Sequence, residues 1–155
     1  MKRIIVASLV ALLVGCAGRA PRSTSVPGHG ALSIQVIPNP IVAKKVSGST
    51  YEFAFDVILR ETGGHPVDVD SVSANVLALG GIQVASETYD ANRIRSLGYS
   101  TRVAPNSETR YHFSRRADVP NDLLFNGVTA DVKVEGHDET GTPTTAATRV
   151  GVTRG

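Results

Sequence analysis

Apolar and polar residues alternate along most of the chain, which is the period-two pattern of a half-buried β-strand. The clearest run spans residues 50–60, where one face carries five large apolar residues: Tyr51, Phe53, Phe55, Val57 and Leu59. Glu52 and Asp56 lie on the opposite face of this run. Shorter runs of the same kind predict six further strands, at 32–36, 67–76, 82–86, 109–113, 128–134 and 148–152.

Turn residues and one irregularity separate these runs. Pro38-Asn39-Pro40 ends the first strand, and two glycine-rich segments, 61–66 and Gly80-Gly81, predict turns. Within 67–76 the alternation slips by one residue at Asp70-Ser71. Because such a slip sends side chains to the opposite face, it predicts a bulge or a strand break.

Two stretches lose the alternation altogether. In residues 89–105, Asp90 is placed to cap a single helical turn that carries Ile94 and Leu97 at i, i+3 spacing. Residues 123–125 lie in a longer crossover before the sixth strand and are apolar, so we expect them to plug one end of the core.

Seven short strands without a long amphipathic helix favour an all-β, antiparallel sandwich. The strand order, the proline-broken first strand and the long crossover resemble fibronectin type III and immunoglobulin-like (Ig-like) domains over residues 31–153. The resemblance implies a seven-stranded Ig-like sandwich for residues 31–155. The chain lacks the cysteine pair and the core tryptophan of antibody domains. A closed β-barrel is the alternative fold.

The first residues have the pattern of an export signal. Lys2 and Arg3 precede an apolar stretch, residues 4–14, that is shorter than the ~20 residues a membrane-spanning helix needs. The segment Leu13-Val14-Gly15-Cys16 resembles the lipobox of bacterial lipoproteins. This resemblance implies that residues 1–15 are a signal peptide and that Cys16 becomes the acylated first residue. The alternative is an ordinary signal peptide followed by an unrelated cysteine.

Residues 16–30 are polar and rich in proline, glycine and serine, so we expect a flexible tether between the lipidated Cys16 and the domain. The membrane is then a partner through the lipid on Cys16, and the protein belongs to the cell envelope. Ala17 follows the cysteine, where some lipoproteins have aspartate. In the lipoprotein family this implies the outer membrane, if the organism has one.

Charge and composition exclude several classes of function. The net charge of +2 is due to Lys2 and Arg3, so the chain without residues 1–15 is formally neutral. Nucleic-acid binding needs a strong positive field, and we expect none here. Cys16 is the only cysteine, so its acylation leaves no thiol for a disulfide or for nucleophilic chemistry.

The sequence lacks a recognisable catalytic or metal-binding motif, including Gly-x-Ser-x-Gly and His-Glu-x-x-His. His65, with Asp68 and Asp70 nearby, and the group at 137–139 are interpreted as solvated residues beside turns. We therefore expect neither a metal nor another cofactor. An enzyme ranks third among the functional hypotheses.

Positive charge is concentrated in residues 89–105 and in the strand that follows. Together these residues could bind a protein or an anionic envelope partner. Tyr51 and Tyr111 are predicted to point inward, which leaves Tyr89 and Tyr99 as candidates for an exposed aromatic contact. The candidate partner-binding residues are Arg93, Arg95, Arg102, Arg110 and Tyr99.

The sequence therefore predicts a lipid-anchored, non-catalytic interaction or structural module. Binding would use loops at one end of the domain or an exposed edge strand. The alternative is a ligand-binding accessory subunit of an envelope transport or secretion complex.

Overall fold

The computed structural model describes residues 20–155, so the predicted signal peptide and Cys16 lie outside the described residues. The strands are β1 (Arg22–Thr24), β2 (Leu32–Ile37), β3 (Ile41–Ser47), β4 (Thr50–Glu61), β5 (Val67–Leu77), β6 (Gln83–Asp90), β7 (Arg102–Val103), β8 (Glu108–Asp118), β9 (Thr129–Asp138) and β10 (Pro143–Arg154). One α-helix, α1, spans Ala91–Ser96, and one 3₁₀ helix spans Asp122–Phe125. No helix in this part of the chain has the length and apolar character of a membrane span.

The strands pair in two groups that face each other across the core. In the β4 layer, β2 and β3 share one edge of β4 and β8 occupies the other. In the β9 layer the order is β1-β10-β9-β5-β6, with β7 beside the start of β5. Residues 152–154 of β10 also pair with β3, in parallel, and so join both layers into one ten-stranded mixed sheet.

The mostly-β prediction is confirmed, but the prediction of seven strands with only antiparallel pairing is wrong. The additional strands are β1, β3 and β7. β2 ends at Ile37, before Pro38-Asn39-Pro40, and the chain resumes as β3 at the β-branched Ile41 and Val42. On resuming, the chain lies between β4 and β10, and this position creates the parallel pair.

Part of the segment that was expected to be a tether is bound to the domain. Residues 22–24 form β1 and pair with residues 145–147 of β10. The backbone N–H of Gly30 donates to Asp138 at 3.3 Å, and Gly30 is buried. Ordered structure therefore begins before residue 31.

The predicted local features are present in the core. Inward-facing positions of the alternating runs are buried, among them Leu32, Ile34, Val57, Leu59, Val67, Val69, Tyr111, Phe113, Val132, Val134 and Val150. The pairing of β5 with β9 shifts register between Val69 and Ser71, at the predicted slip. Asp90 caps α1 by accepting a hydrogen bond from the Arg93 N–H at 2.7 Å, and Ile94 is fully buried. Leu97, by contrast, is exposed.

The layers have two distinct ends. Residues 47–50, 78–82 and 119–128 connect strands at one end, which we name the crossover end. Residues 29–31, 61–66 and 138–142 lie at the other, which we name the carboxylate end because Glu61 and Asp138 are buried there. The register of β9 fixes this direction, since it begins beside Leu77 and ends beside Val67.

The core at the crossover end is filled by aromatic rings. Tyr51 is fully buried, and its ring contacts that of Phe125 edge-on with 5.0 Å between centroids. The Tyr51 hydroxyl donates to Asp122 at 2.6 Å, which fixes the start of the 3₁₀ helix. With Asp122 held inward, Leu123 and Leu124 project into solvent. The prediction that both leucines plug the core is wrong, and Phe125 alone of the three packs against it.

Candidate functional site

An apolar cleft opens between β6 and β8 and has a volume of about 300 Å³. Among the described strands, β6 pairs only with β5 and β8 only with β4, so the cleft separates the free edges of the two layers. The side chains that enclose it are almost all apolar, including Phe55, Val76, Val84, Phe113, Ala117 and Val128. Its volume and apolar lining are those of a small-molecule site at the lower end of the usual size range.

The cleft exists because small residues stand where the two layers diverge. Ala74 on β5 and Ala117 on β8 face the core and line the cleft. Deeper in the molecule, the rings of Tyr89 and Phe113 bridge the layers with 4.5 Å between centroids. Phe55 packs behind Phe113 at 5.8 Å. Aromatic rings therefore close the inner wall, and alanine leaves the outer part open.

Charged side chains stand at one side of the mouth. Glu87 and Arg115 both line the cleft. Glu87 accepts hydrogen bonds from Arg93, at 2.6 Å, and from Arg115. The guanidinium of Arg93 also lies over the Tyr89 ring, 4.1 Å from its centroid. Two guanidinium groups share one carboxylate here, so this cluster retains a net positive charge.

The opposite side of the mouth is negative. Asp118 lies three residues further along β8 than Arg115, which corresponds to about 10 Å in an extended strand. It accepts a hydrogen bond from the Thr50 hydroxyl at 2.6 Å. A charged group entering the cleft therefore meets a polarised mouth, positive near Arg115 and negative near Asp118.

Exposed aliphatic side chains surround the cleft at the crossover end. We name this set the apolar rim; its members are 51–75% exposed and comprise Leu79, Ile82, Val84, Leu123 and Leu124. Val84 and Leu124 also line the cleft. A Cβ at Gly127 would lie 3.0 Å from Leu79 Cδ1, so Leu79 packs on the crossover. Several exposed aliphatic side chains at one end of a domain are typical of an interaction site.

The arginines that the sequence singled out do not form one free positive surface. Arg102 pairs with Asp68 at 2.9 Å, and Arg110 lies 3.5 Å from Asp56. Arg93 belongs to the cluster at the cleft mouth. These arginines are therefore distributed over α1, β7 and β8, each beside a carboxylate. Whether they bind a partner stays a prediction.

The remaining two candidates have local roles. Arg95 donates to the Asn92 side chain at 2.6 Å. Tyr99 packs on the Tyr111 ring with 5.5 Å between centroids, and its hydroxyl donates to the His112 carbonyl at 3.3 Å. Tyr99 is only partly exposed, and whether it contacts a partner stays a prediction.

The histidines near the predicted turns take part in pairs. His137 lies 3.0 Å from Asp70, and His65 lies 3.8 Å from Glu139. The hydrogen bond with Asp70 raises the pKa of His137 above its ordinary value. Within residues 20–155, no group of three or more histidine, cysteine or acidic side chains is arranged to hold a metal ion.

At the carboxylate end, Glu61 is 1% exposed and binds three segments of the chain. Its carboxylate accepts four backbone N–H groups at 2.7–3.1 Å, from Ala31, Gly63, Gly64 and Asn106. Burial opposes the charge on Glu61, but the four donors outweigh it, so the pKa of this carboxyl lies below its ordinary value. Gly63 permits the close approach, because a Cβ there would lie 2.1 Å from the His29 carbonyl.

Asp138 is a second buried carboxylate at this end. The Thr140 hydroxyl, at 2.6 Å, is the main cause of a pKa well below the ordinary range for Asp138. His29, at 2.9 Å, and the backbone N–H groups of Gly30 and Thr142 act in the same direction, against the effect of burial. In the described residues, no buried side-chain polar atom lacks a partner. We interpret both carboxylates as structural.

The sequence reasoning missed the cleft and the two buried carboxylates. Glu61 was read as part of a turn, although it is the residue that organises that turn. The sequence pattern places Ala74 in a predicted strand and leaves Ala117 outside the predicted strands. Whether these small side chains leave an open space depends on the distance between the two layers, and the period-two pattern does not determine that distance.

Neither a protein-family model nor a curated protein matches the sequence. Among solved structures, Northeast Structural Genomics Consortium target SoR45 aligns with a TM-score of 0.56 at 11% identity, over 83% of this chain and 90% of that one. The putative ApaA protein from Bordetella pertussis aligns with a TM-score of 0.55 at 18% identity, over 82% of this chain and 98% of that one.

The CARDB domain of PF1109 from Pyrococcus furiosus gives a TM-score of 0.37 at 13% identity, over 84% of this chain and 100% of that one. That score is too low to support a conclusion. The two similarities above 0.5 concern the fold alone, because their sequence identities are low. This chain shares the architecture of a small β-sheet domain with them.

Proposed function

We propose that this protein is a lipid-anchored, non-catalytic binding module of the cell envelope, built on an Ig-like, fibronectin type III-like β-sandwich. Its ligand is an anionic amphiphile with a single acyl chain. The observation that carries the proposal is the apolar cleft between β6 and β8.

The lining of the cleft favours an acyl chain. Its walls are aromatic and aliphatic, and its polar groups lie at the mouth. Each methylene that leaves water for such a site contributes about 0.8 kcal/mol. A chain of several methylenes therefore gains useful affinity without any polar contact inside.

The charge at the mouth favours an anionic headgroup. Arg93 and Arg115 share the single carboxylate of Glu87, so one positive charge is not balanced within this cluster. A carboxylate at the end of an acyl chain complements that charge, because a guanidinium group binds carboxylates with paired hydrogen bonds. The arrangement disfavours a cationic headgroup of the same size.

The anchor is proposed from the sequence. The lipobox at residues 13–16 supports acylation of Cys16, and two or more acyl chains give stable membrane attachment. Ala17 supports the outer membrane as the location, if the organism has one.

A second candidate uses the same cleft. In it, the domain is the ligand-binding accessory subunit of an envelope transport or secretion complex. The cleft favours this candidate because such a subunit also needs a defined ligand site. Co-purification of other envelope proteins with the anchored chain would distinguish the two.

The test is photo-crosslinking of the anchored protein with a laurate analogue that carries a diazirine at the end of its chain. Ala117→Phe fills the cleft, whereas Ser114→Phe places the same ring on the solvent face of β8. Loss of two buried methylenes, at about 0.8 kcal/mol each, corresponds to roughly a tenfold loss of affinity. We expect about tenfold less crosslinking at cleft residues in Ala117→Phe and little change in Ser114→Phe. Equal crosslinking of the two variants, or none in the wild type, would refute the proposal.

A further inference from the structure

We propose that the apolar rim contacts the membrane surface, so that the crossover end of the domain faces the bilayer. The occupant of this surface is the lipid bilayer. The inference extends the proposed function and rests on its lipid anchor, but it does not depend on a ligand in the cleft.

The exposed aliphatic side chains are unevenly distributed. Among residues 20–155, the five most exposed large aliphatic residues are those of the apolar rim. They come from the β5–β6 turn with the start of β6, and from the crossover, which meet at the same end of the domain. Amphipathic surfaces that bury apolar side chains at the lipid–water boundary have this one-sided character.

The chain enters the domain from the same direction. Ala20 and Pro21 lie in a groove beside residues 148–150 of β10. Since β1 is antiparallel to β10, residues before Arg22 lead toward the crossover end, where β10 finishes with Arg154 paired to Asp122. Cys16 is four residues before Ala20 and can be at most about 14 Å from it. A lipid on Cys16 therefore holds the crossover end close to the bilayer.

The crossover end carries charges of both signs. Asp118 accepts a hydrogen bond from Thr50, and Asp122 accepts from Tyr51 and pairs with Arg154. Lys44 and Lys45 are exposed on β3 beside the β3–β4 turn. Lysines near a membrane surface are attracted to anionic headgroups.

This orientation also gives the cleft a source of ligand. Val84 and Leu124 belong to both the rim and the cleft lining, so the mouth of the cleft would face the lipid. An acyl chain could then enter from the bilayer without crossing water.

The test compares two single-cysteine variants of the lipidated full chain, Leu124→Cys and Leu97→Cys. The native side chains are 51% and 49% exposed, and Leu97 follows α1, away from the crossover end. With Cys16 acylated, an environment-sensitive fluorophore reacts only with the introduced cysteine. The labelled protein is bound to vesicles of phosphatidylethanolamine and phosphatidylglycerol, and quenching by spin-labelled lipid is measured.

We expect blue-shifted emission and severalfold stronger lipid quenching at position 124 than at 97. Equal quenching at the two positions would overturn the inference, and so would a probe at 124 that stays in water. A probe at 124 that is shielded but not quenched by lipid would indicate a protein contact and would also overturn it. Flotation of the vesicles tests the anchor separately: protein that fails to float refutes the anchor and this inference with it.

Discussion

Replacement of Glu61 by glutamine is predicted to destabilise the domain strongly, because this carboxylate is the buried acceptor for three segments of chain. One carboxylate oxygen accepts from Ala31 and Gly63, and the other from Gly64 and Asn106. Glutamine keeps one oxygen and places an NH₂ group against the other two donors. It is also neutral, so the bonds that survive become weaker.

The magnitude follows from the number of bonds lost. A hydrogen bond to a charged group contributes about 1.5–3 kcal/mol net, and two of the four lose their acceptor in Glu61→Gln. The expected loss in the free energy of unfolding is therefore about 3–6 kcal/mol. This is a large part of the 5–15 kcal/mol typical of a domain. The control is Glu108→Gln, because the Glu108 side chain is 44% exposed and pairs only at the surface with Arg60. We expect it to lose less than about 1 kcal/mol.

The assay is urea unfolding followed by circular dichroism, repeated across the acid range. Because the pKa of Glu61 is lower in the folded state, its stabilisation is present above the unfolded value near 4.5 and is lost as the pH falls through the folded value. The gap between wild type and Glu61→Gln should therefore be largest near neutral pH and narrow in acid. The reasoning is refuted if Glu61→Gln is no less stable than Glu108→Gln, or if the gap is the same at all pH values.

Two further predictions concern the cleft mouth and the helix. Arg115→Gln removes one of the two guanidinium groups on Glu87, so laurate should compete less well for the photo-crosslinking site and dodecylammonium better; unchanged competition by both would contradict a role for charge at the mouth. Asp90→Ala removes the N-cap acceptor of α1 and should lower the free energy of unfolding by about 1 kcal/mol, measured by urea unfolding. A variant as stable as wild type would show that this cap contributes nothing.

Local pattern was sufficient to predict much of the fold. Alternation located seven of the ten strands, and the phase slip at Asp70-Ser71 located the register shift in β5, because both depend only on which face a side chain occupies. Asp90 was recognisable as a cap because the residue whose N–H it accepts, Arg93, is only three positions further along the chain. Two of the three additional strands, β1 and β7, were not recognisable because they have three and two residues and are held by their neighbours.

The candidate site depends on relations that the sequence pattern does not contain. Leu123 and Leu124 were expected in the core because they are apolar, but the bond between Tyr51 and Asp122 turns them outward. The cleft is lined by small residues from both layers, Ala74 on β5 and Ala117 on β8. Burial of a carboxylate could not be inferred for Glu61, because two of its four donors, Ala31 and Asn106, come from segments far from it in sequence.

The central claim is that an acyl chain occupies the cleft, and a crystal structure of the protein with laurate tests it most directly. The account predicts electron density for the chain between β6 and β8, against Phe113 and Val128, with the carboxylate near Arg115. An empty cleft at saturating laurate, or laurate bound elsewhere on the domain, would contradict it.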